Sequence, residues 1–208
     1  MTEINFELKK PEQTPLLIVI SGPSGIGKDT IVDGLKQRNL PFRFVITATS
    51  RAPRENEVDG RDYFFYSPEK FEAMIEIGDF LEYAWVYSAY KGVPKWQVQQ
   101  ALESGEDVVM RLDVQGAETV HKLCPDAVLI FLTASTKEEW LQRLRDRRSE
   151  TDEELQLRIE TAKAEYEMLD MFDYIVVNEE NRLDRTLDTI VSIIDAEHHR
   201  VHPRRVSL

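Results

Sequence analysis

A glycine-rich segment at residues 22–30 constrains the fold of this chain more than any other feature. It reads GPSGIGKDT, follows an apolar run at residues 16–20 and precedes an apolar pattern with helical spacing. It matches the phosphate-binding pattern G-x-x-x-x-G-K-[ST] up to Lys28, after which Asp29 replaces the hydroxyl residue and Thr30 follows one place late. The alternative is a plain glycine turn between a strand and a helix. A strand, glycine loop and helix bring backbone N–H groups and a positive helix end to phosphate, so the pattern predicts a polyphosphate site formed by Gly22, Pro23, Ser24, Gly25, Ile26, Gly27, Lys28, Asp29 and Thr30.

Length and charge limit the classes of partner. The 208 residues suffice for one α/β core with an inserted lobe. The formal net charge of −12 disfavours binding to nucleic acid or to an anionic membrane, so an anion site has to be a local basic pocket. Small nucleotides remain suitable partners, and a homo-oligomer is compatible with the sequence.

Cysteine content and hydropathy indicate a reducing compartment. Cys124 is the one cysteine, and the first residues lack the basic and apolar pattern of a secretion signal. The longest apolar runs, such as residues 127–132, are too short to span a bilayer. We therefore expect a cytoplasmic protein.

Strand and helix patterns alternate along the chain. Continuous apolar runs at residues 107–112, 127–132 and 173–177 predict strands buried on both faces, and helical patterns separate them. The resulting βαβα order predicts a three-layer α/β core whose ligand crevice lies at the carboxyl ends of the strands, beside the glycine loop. One helical pattern, formed by Trp140, Leu141 and Leu144, is expected to follow a capping signal, Ser135 to Glu138.

The same patterns suggest a division of the chain. Residues near 45–95 combine short strands with one helix, and residues 145–158 are highly charged with little apolar material. We expect a solvated end that carries His198, His199 and His202. The predicted parts are a leader (1–14), a core (15–45 and 95–195), an insertion (about 46–94), a mobile lid (about 145–158) and a tail (196–208).

Residues 47–65 read TATSRAPRENEVDGRDYFF, and at this segment the chain resembles guanylate kinases. The resemblance continues through GDFLEYA at residues 78–84, LDVQG at 112–116, RLRDR at 143–147, Arg158 and Asn178, and covers about residues 15–195. It implies a P-loop NTPase fold with a parallel core sheet, a monophosphate-binding insertion and a mobile lid. It further implies ATP-dependent phosphorylation of GMP or dGMP with Mg²⁺.

The resemblance assigns cationic residues to the phosphate groups. Arginines matching Arg51 and Arg54, with a tyrosine matching Tyr63, hold the acceptor phosphate, and Glu57 orients the arginines. An arginine fork suits phosphate because it bonds bidentately. Arginines matching Arg147 and Arg158 close from the lid, and Lys28 with Mg²⁺ spreads the developing charge, so the implied catalytic residues are Lys28, Arg51, Arg147 and Arg158.

Base recognition is implied at Glu82 and Thr47. A carboxylate accepts hydrogen bonds from guanine N1–H and N2–H, and adenine lacks those two donors. Thr47 matches a base-facing hydroxyl, and Asn178 matches a residue of the ATP site. Asp113 matches an acid that holds Mg²⁺ directly or through water, although it would equally serve as the N-cap of the next helix.

Four positions depart from the family pattern. Asp29 replaces a hydroxyl, so either its carboxylate or Thr30 would complete the Mg²⁺ shell with Asp113. Lys91 stands where a second tyrosine is usual and remains a candidate for phosphate, whereas Val93 replaces a hydroxyl and cannot bond a base. Arg111 stands where an acid is common, which reverses a charge near the nucleotide or the metal.

Two alternative functions remain open at this point. Asp29 after Lys28 resembles the loop of kinases that act on another phosphorylated acceptor such as a ribose bisphosphate, but the segment from Arg51 to Tyr63 argues against that group. A non-catalytic guanylate kinase-like module that binds protein ligands typically has a degraded phosphate loop, whereas this chain retains Lys28.

Overall fold

The structure, a computed structural model, describes residues 10–11, 14–86, 89–145 and 152–208. The described elements form two sheets with helices packed around them. In chain order they are β1 Leu17–Ser21, α1 Lys28–Gln37, β2 Phe42–Phe44, β3 Ala48–Thr49, β4 Phe64–Phe65, α2 Pro68–Glu76, β5 Phe80–Val86, β6 Ala89–Pro94, α3 Lys95–Glu103, β7 Asp107–Arg111, α4 Val114–Leu123, β8 Val128–Thr133, α5 Lys137–Arg145, α6 Asp152–Glu167, a 3-10 helix Leu169–Met171, β9 Tyr174–Val177 and α7 Leu183–His198.

The core sheet has five parallel strands in the order β2-β7-β1-β8-β9. Strand β1 is central, and its five residues are buried, which agrees with their continuous apolar character. Alternate side chains of the run enter two different clusters. Leu16, Ile18 and Ile20 pack with α1, α5 and α7, whereas Leu17 and Val19 pack with α3 and α4. This alternation produces the three layers that the sequence predicts.

A second sheet lies between β2 and α3 in the chain, in the order β4-β3-β6-β5. Strands β3 and β4 are parallel, and the other pairs are antiparallel. Its small core is aromatic: the Phe71 ring stacks on Phe80 and Tyr90, with ring centroids 4.2 and 5.2 Å apart. Helix α2 begins at Ser67, whose hydroxyl accepts a hydrogen bond from Lys70 N, and Gly78 follows its end with φ of 72°.

Two predicted boundaries differ from the structure for local reasons. The strand expected at residues 42–47 ends at Phe44, because the Gln97 side chain binds both the N–H and the carbonyl of Ile46 in place of a neighbouring strand. The cap of α5 is Thr136 and not Ser135, since Thr136 Oγ1 accepts a hydrogen bond of 3.1 Å from Glu139 N. The capping pair is therefore Thr136 and Glu139.

The expectation of a solvated C-terminal end is wrong for several of its residues. Helix α7 continues through His198, which bonds Asp107 at 2.8 Å. Arg204 is buried and donates to Glu197 at 2.8 Å, to Asp173 at 2.9 Å and to the carbonyl of Ala127 at 2.9 Å. The segment thus packs against the amino-terminal ends of β7, β8 and β9.

Within the described ranges, no helix has the length and apolar character needed to cross a bilayer. The limits assigned to the leader, the insertion, the lid and the tail stay predictions.

Candidate active site

The glycine loop connects β1 to α1 at the carboxyl edge of the core sheet. Gly22 has φ of 137°, and a Cβ atom there would lie 2.5 Å from the carbonyl oxygen of Leu132 on the neighbouring strand. Gly27 caps α1 with φ of 98°, and a Cβ atom there would lie 2.5 Å from Asn178 Nδ2. Both positions therefore require glycine, because their φ angles are positive and because a Cβ atom would clash with a neighbouring atom.

Side chains from α5 and from the segment after β9 hold the loop from behind. Trp140 Nε1 donates to the carbonyl of Ser24 at 2.9 Å, and Asn178 Nδ2 donates to the carbonyl of Ile26 at 2.8 Å. Arg143 donates to the carbonyl of Asn178 at 2.7 Å. These bonds fix the carbonyls of Ser24 and Ile26, so the shape of the loop is set before a ligand binds.

Lys28 begins α1 and folds over the loop. Its Nζ donates to the carbonyls of Gly22 at 2.5 Å and Pro23 at 3.0 Å. Burial lowers the pKa of Lys28 to about 8, although the carboxylates of Glu165, Asp113 and Asp29 oppose that shift.

Helix α6 brings two more polar side chains to this end of the sheet. Arg158 donates to Ser24 Oγ of the loop. Burial raises the pKa of the Glu165 carboxyl to about 7, against the attraction of Lys28. Glu165 is not among the residues predicted from the sequence. The signal that could have found it is its position seven residues after Arg158, on the same face of a helix.

A cavity of about 200 Å³ opens between the glycine loop and the second sheet. Elements from both sheets contribute to its wall. Its lining residues are Lys28, Asp29, Thr47, Tyr63, Glu82, Ala84, Lys91, Arg111, Leu112 and Asp113. Seven of these residues were predicted as site residues from the sequence, so the fold brings them together.

Glu82 is the buried acid of this cavity. It is 8% exposed, and a Cβ atom on Gly116 would come within 3.1 Å of its Oε2. Burial raises the pKa of Glu82 to about 8, and the nearby charge of Asp113 adds to the shift.

Asp113 caps a helix and also lines the cavity, and its role toward Mg²⁺ stays a prediction. Its Oδ1 accepts a hydrogen bond of 2.8 Å from Gly116 N, so it is the N-cap of α4. It also lines the cavity beside Lys28 and Glu82. Capping fixes the carboxyl group in place without removing it from the cavity.

Arg51 and Glu57 form a bidentate pair at the rim. Their two hydrogen bonds are each 2.6 Å long. The Arg51 guanidinium lies 5.0 Å from the ring centroid of Tyr63, which lines the cavity. Glu57 also accepts a 2.8 Å hydrogen bond from the backbone N–H of Arg54, whose residue is exposed. The Glu57 carboxylate therefore binds both arginines: it accepts from the side chain of Arg51 and from the backbone N–H of Arg54.

The departures from the family pattern have distinct positions. Arg111 pairs with Asp29 across the cavity wall. Lys91 lies in register with Thr49 and lines the cavity, whereas Val93 is buried in the core beside Leu81. Thr30, a predicted magnesium ligand, is exposed on α1 and is not among the residues that line the cavity. Arg147, a predicted catalytic residue, lies outside the described residues.

The fold and the loop define a nucleotide-binding protein of the P-loop class. The guanylate kinase family model matches residues 14–197, and curated relatives agree with it. A rice guanylate kinase (Oryza sativa subsp. japonica, chloroplastic/mitochondrial) is 44% identical over all of this chain and 73% of its own length. The guanylate kinase of Clostridioides difficile is 41% identical, with 89% of this chain and 90% of the relative covered.

A solved structure agrees on the fold. The guanylate kinase of Anaplasma phagocytophilum superposes with a TM-score of 0.73 at 24% identity, covering 92% of this chain and 90% of that one. On the family model and the curated relatives together, the chain belongs to the guanylate kinase family.

Proposed function

We propose that the protein transfers the γ-phosphoryl group of ATP to GMP or dGMP, giving ADP and GDP or dGDP. The observation that carries the proposal is a single cavity in which the phosphate-loop lysine, Lys28, faces the buried acid Glu82. Family membership supports the same activity.

The loop and Lys28 would bind the donor. The N–H groups of Ser24, Gly25 and Gly27 and the positive end of α1 would face the phosphates, and Asn178 holds the loop in shape. Lys28 exchanges its bonds to two loop carbonyls for phosphate oxygens, and the new anionic partner favours its charged form.

The second sheet would bind the acceptor. Arg51, fixed by Glu57, and Arg54 hold the monophosphate together with Tyr63, while Lys91 adds a cation inside the cavity. Glu82 accepts the two guanine N–H donors, and Thr47 supplies a hydroxyl to the base. The protein holds two phosphates in line in a closed space, and this positioning supplies most of the rate enhancement expected for phosphoryl transfer.

The donor set also fits a magnesium ion that arrives with the nucleotide. Among the described residues there is no group of three or more acids, histidines or cysteines that would form an all-protein cage. Mg²⁺ in kinases is usually held by one or two carboxylates plus substrate phosphates, and Asp29 and Asp113 line the cavity with carboxylate oxygen. The Thr30 hydroxyl, exposed on the first turn of α1, is the third candidate ligand. When bound, the ion would neutralise charge on the transferring group.

A lid would complete the site. Arg158 already contacts Ser24 of the loop, and we expect Arg147 to join it when residues 145–158 close. Hydrogen exchange measured with and without both nucleotides should show added protection in this segment. Unchanged protection would count against a lid.

The activity is tested with purified protein in a coupled ADP-release assay. GMP should be preferred over AMP, CMP and UMP, and equal rates with all four would refute the proposal. Glu82→Gln should lose guanine preference, because an amide cannot accept both donors, while the phosphate-binding residues stay intact. Glu76→Gln, on the exposed side of α2, is the matched control.

The two alternatives are tested in the same preparation. Ribose bisphosphate should give no ADP release above background. ATP binding should be lost in Lys28→Ala and present in the unchanged protein; a lack of ATP affinity in the unchanged protein would favour the binding module. The cytoplasmic location and the oligomeric state stay predictions.

A further inference from the structure

Arg111 emerges at the edge of the sheet where the phosphate loop begins. It is the last residue of β7, in register with Ile20 of β1, and the next residue, Leu112, donates to the carbonyl of Ile20 at 3.2 Å. Hydrogen bonding within the sheet therefore fixes the backbone at Arg111. The Arg111 side chain lines the same cavity as Lys28 and Glu82.

The ion pair that Arg111 forms is partly exposed to solvent, so an anionic ligand can replace its carboxylate partner. Its partner, Asp29, lies in the first turn of α1, and the side chains are 28% and 67% exposed. Ion pairs with this much exposure to water are weak, because solvent screens the attraction. A doubly charged phosphate is a stronger partner for an arginine fork than an exposed carboxylate.

The charge balance of the cavity favours a role in phosphate binding. The protein carries a net charge of −12, and three acids, Asp29, Glu82 and Asp113, line the cavity. Among the described residues that line this cavity, Arg111 is the only arginine. Four residues assigned to the acceptor, Thr47, Tyr63, Glu82 and Lys91, line the same cavity as Arg111, so Arg111 is within the space that the acceptor would occupy.

We propose that Arg111 is a further phosphate-binding residue for the acceptor nucleotide, which it contacts by exchanging Asp29 for a phosphate oxygen. The inference rests on the proposed function. The resemblance does not contain it, since the family pattern has an acid at position 111 and a hydroxyl at position 29. The two departures thus act together: Asp29 holds the Arg111 fork beside the loop until a monophosphate enters.

Calorimetric titration with GMP and with guanosine, in the absence of ATP and metal, tests the proposal. Arg111→Met retains most of the apolar stem and should raise the Kd for GMP roughly ten- to hundredfold, the range of a charge-assisted hydrogen bond, while guanosine binding stays unchanged. Asp29→Asn removes the competing carboxylate and should tighten GMP binding, and the gain should vanish in the double variant. Arg43→Met is the matched control, because Arg43 lies on β2 and pairs with Glu106 away from the cavity.

Equal losses for GMP and guanosine, or no loss at all, would overturn the role of Arg111. If Arg111→Met fails to fold, Arg111→Lys decides the question, since it keeps the charge without the fork and should weaken GMP binding selectively but less. The proposed function has its own test: it is refuted if the unchanged protein releases no ADP with GMP. Activity in the unchanged protein with normal GMP binding in the Arg111 variants would refute this inference alone.

Discussion

Glu57 binds Arg51 through two parallel hydrogen bonds, Nη1 to Oε2 and Nη2 to Oε1, each 2.6 Å long. The bonds from Arg51 hold the pKa of Glu57 near 2, and the backbone N–H of Arg54 contributes further. Because the guanidinium also lies over the rings of Tyr63 and Phe65, its plane is fixed before any ligand arrives. Arg51, which we propose binds the acceptor phosphate, is thus preorganised beside the cavity.

Replacement of Glu57 should release that arginine. Glu57→Gln keeps the shape but accepts only one of the two N–H donors, so we expect kcat/KM for GMP to fall by roughly tenfold or more while KM for ATP stays unchanged. Glu55→Gln, an exposed neighbour in the same segment, should retain full activity. Steady-state kinetics with GMP varied at saturating ATP makes the measurement, and an unaltered kcat/KM would contradict the orienting role.

Glu82 should make stability depend on pH in a defined direction. Its folded pKa of about 8 lies above the ordinary value of 4.5, so the folded state binds a proton more tightly than the unfolded state. This stabilising contribution is present at low pH and is lost as the pH rises through 8. Relative to Glu82→Gln, the unchanged protein should lose free energy of unfolding at up to about 1.4 kcal/mol per pH unit between about pH 5 and about pH 8. Chemical denaturation at several pH values measures the difference, and parallel curves would show that Glu82 is ionised throughout.

Guanine binding should release a proton from Glu82. The base offers two donors to this side chain, and only the ionised carboxylate accepts both, so binding at pH 7 requires a group with a pKa of about 8 to ionise. Calorimetry with GMP in buffers of different ionisation enthalpy should reveal proton release in the unchanged protein. The release should be absent in Glu82→Gln, and its persistence there would assign the proton to another group.

Arg204 should contribute strongly to stability although it lies far from the cavity in the fold. Burial raises the pKa of Glu197, yet hydrogen bonds from Arg204, Tyr174 and Arg200 bring it to about 2. Arg204→Met removes the main cation of a buried cluster, so we expect a loss of about 3–5 kcal/mol in the free energy of unfolding.

The matched control for Arg204 is Arg185→Met, which breaks an exposed pair between Arg185 on α7 and Glu179 before that helix, and should cost about 0–1 kcal/mol. Urea denaturation measures both values. Similar small losses in the two variants would mean that the buried cluster is not a source of stability.

The parts of this protein that the sequence predicts well are those set by local pattern. The glycine loop and the buried strands follow from residue types within a few positions of one another, and β1 shows the expected two-sided burial. The acceptor residues were placed by resemblance to a family, and the cavity contains Thr47, Tyr63, Glu82 and Lys91 together.

The parts that were missed depend on contacts between distant positions. Arg111 and Asp29 are 82 residues apart. Arg111 was noted only as a departure from a pattern, and Asp29 was predicted as a ligand of ATP or magnesium but not as the partner of Arg111. Arg204 was expected in solvent because nothing near it in the sequence shows that Asp173 and Glu197 surround it. Glu165 was missed because its charge gains meaning only beside Lys28 and Asp113. A pattern of residue types does not predict such pairings, because they depend on how the strands are ordered in the folded sheet.

The buried cluster around Arg204 affects the order in which a growing chain can finish folding. Asp107, Ala127 and Asp173 lie at the starts of three core strands, and Arg204, which bonds two of those residues, follows all nine of the described strands in the chain. A chain that has formed its strands before residues 197–204 dock therefore has the Asp173 carboxylate and the Ala127 carbonyl without their guanidinium partner. The amino-terminal edge of the core sheet is completed only when Arg204 packs against it.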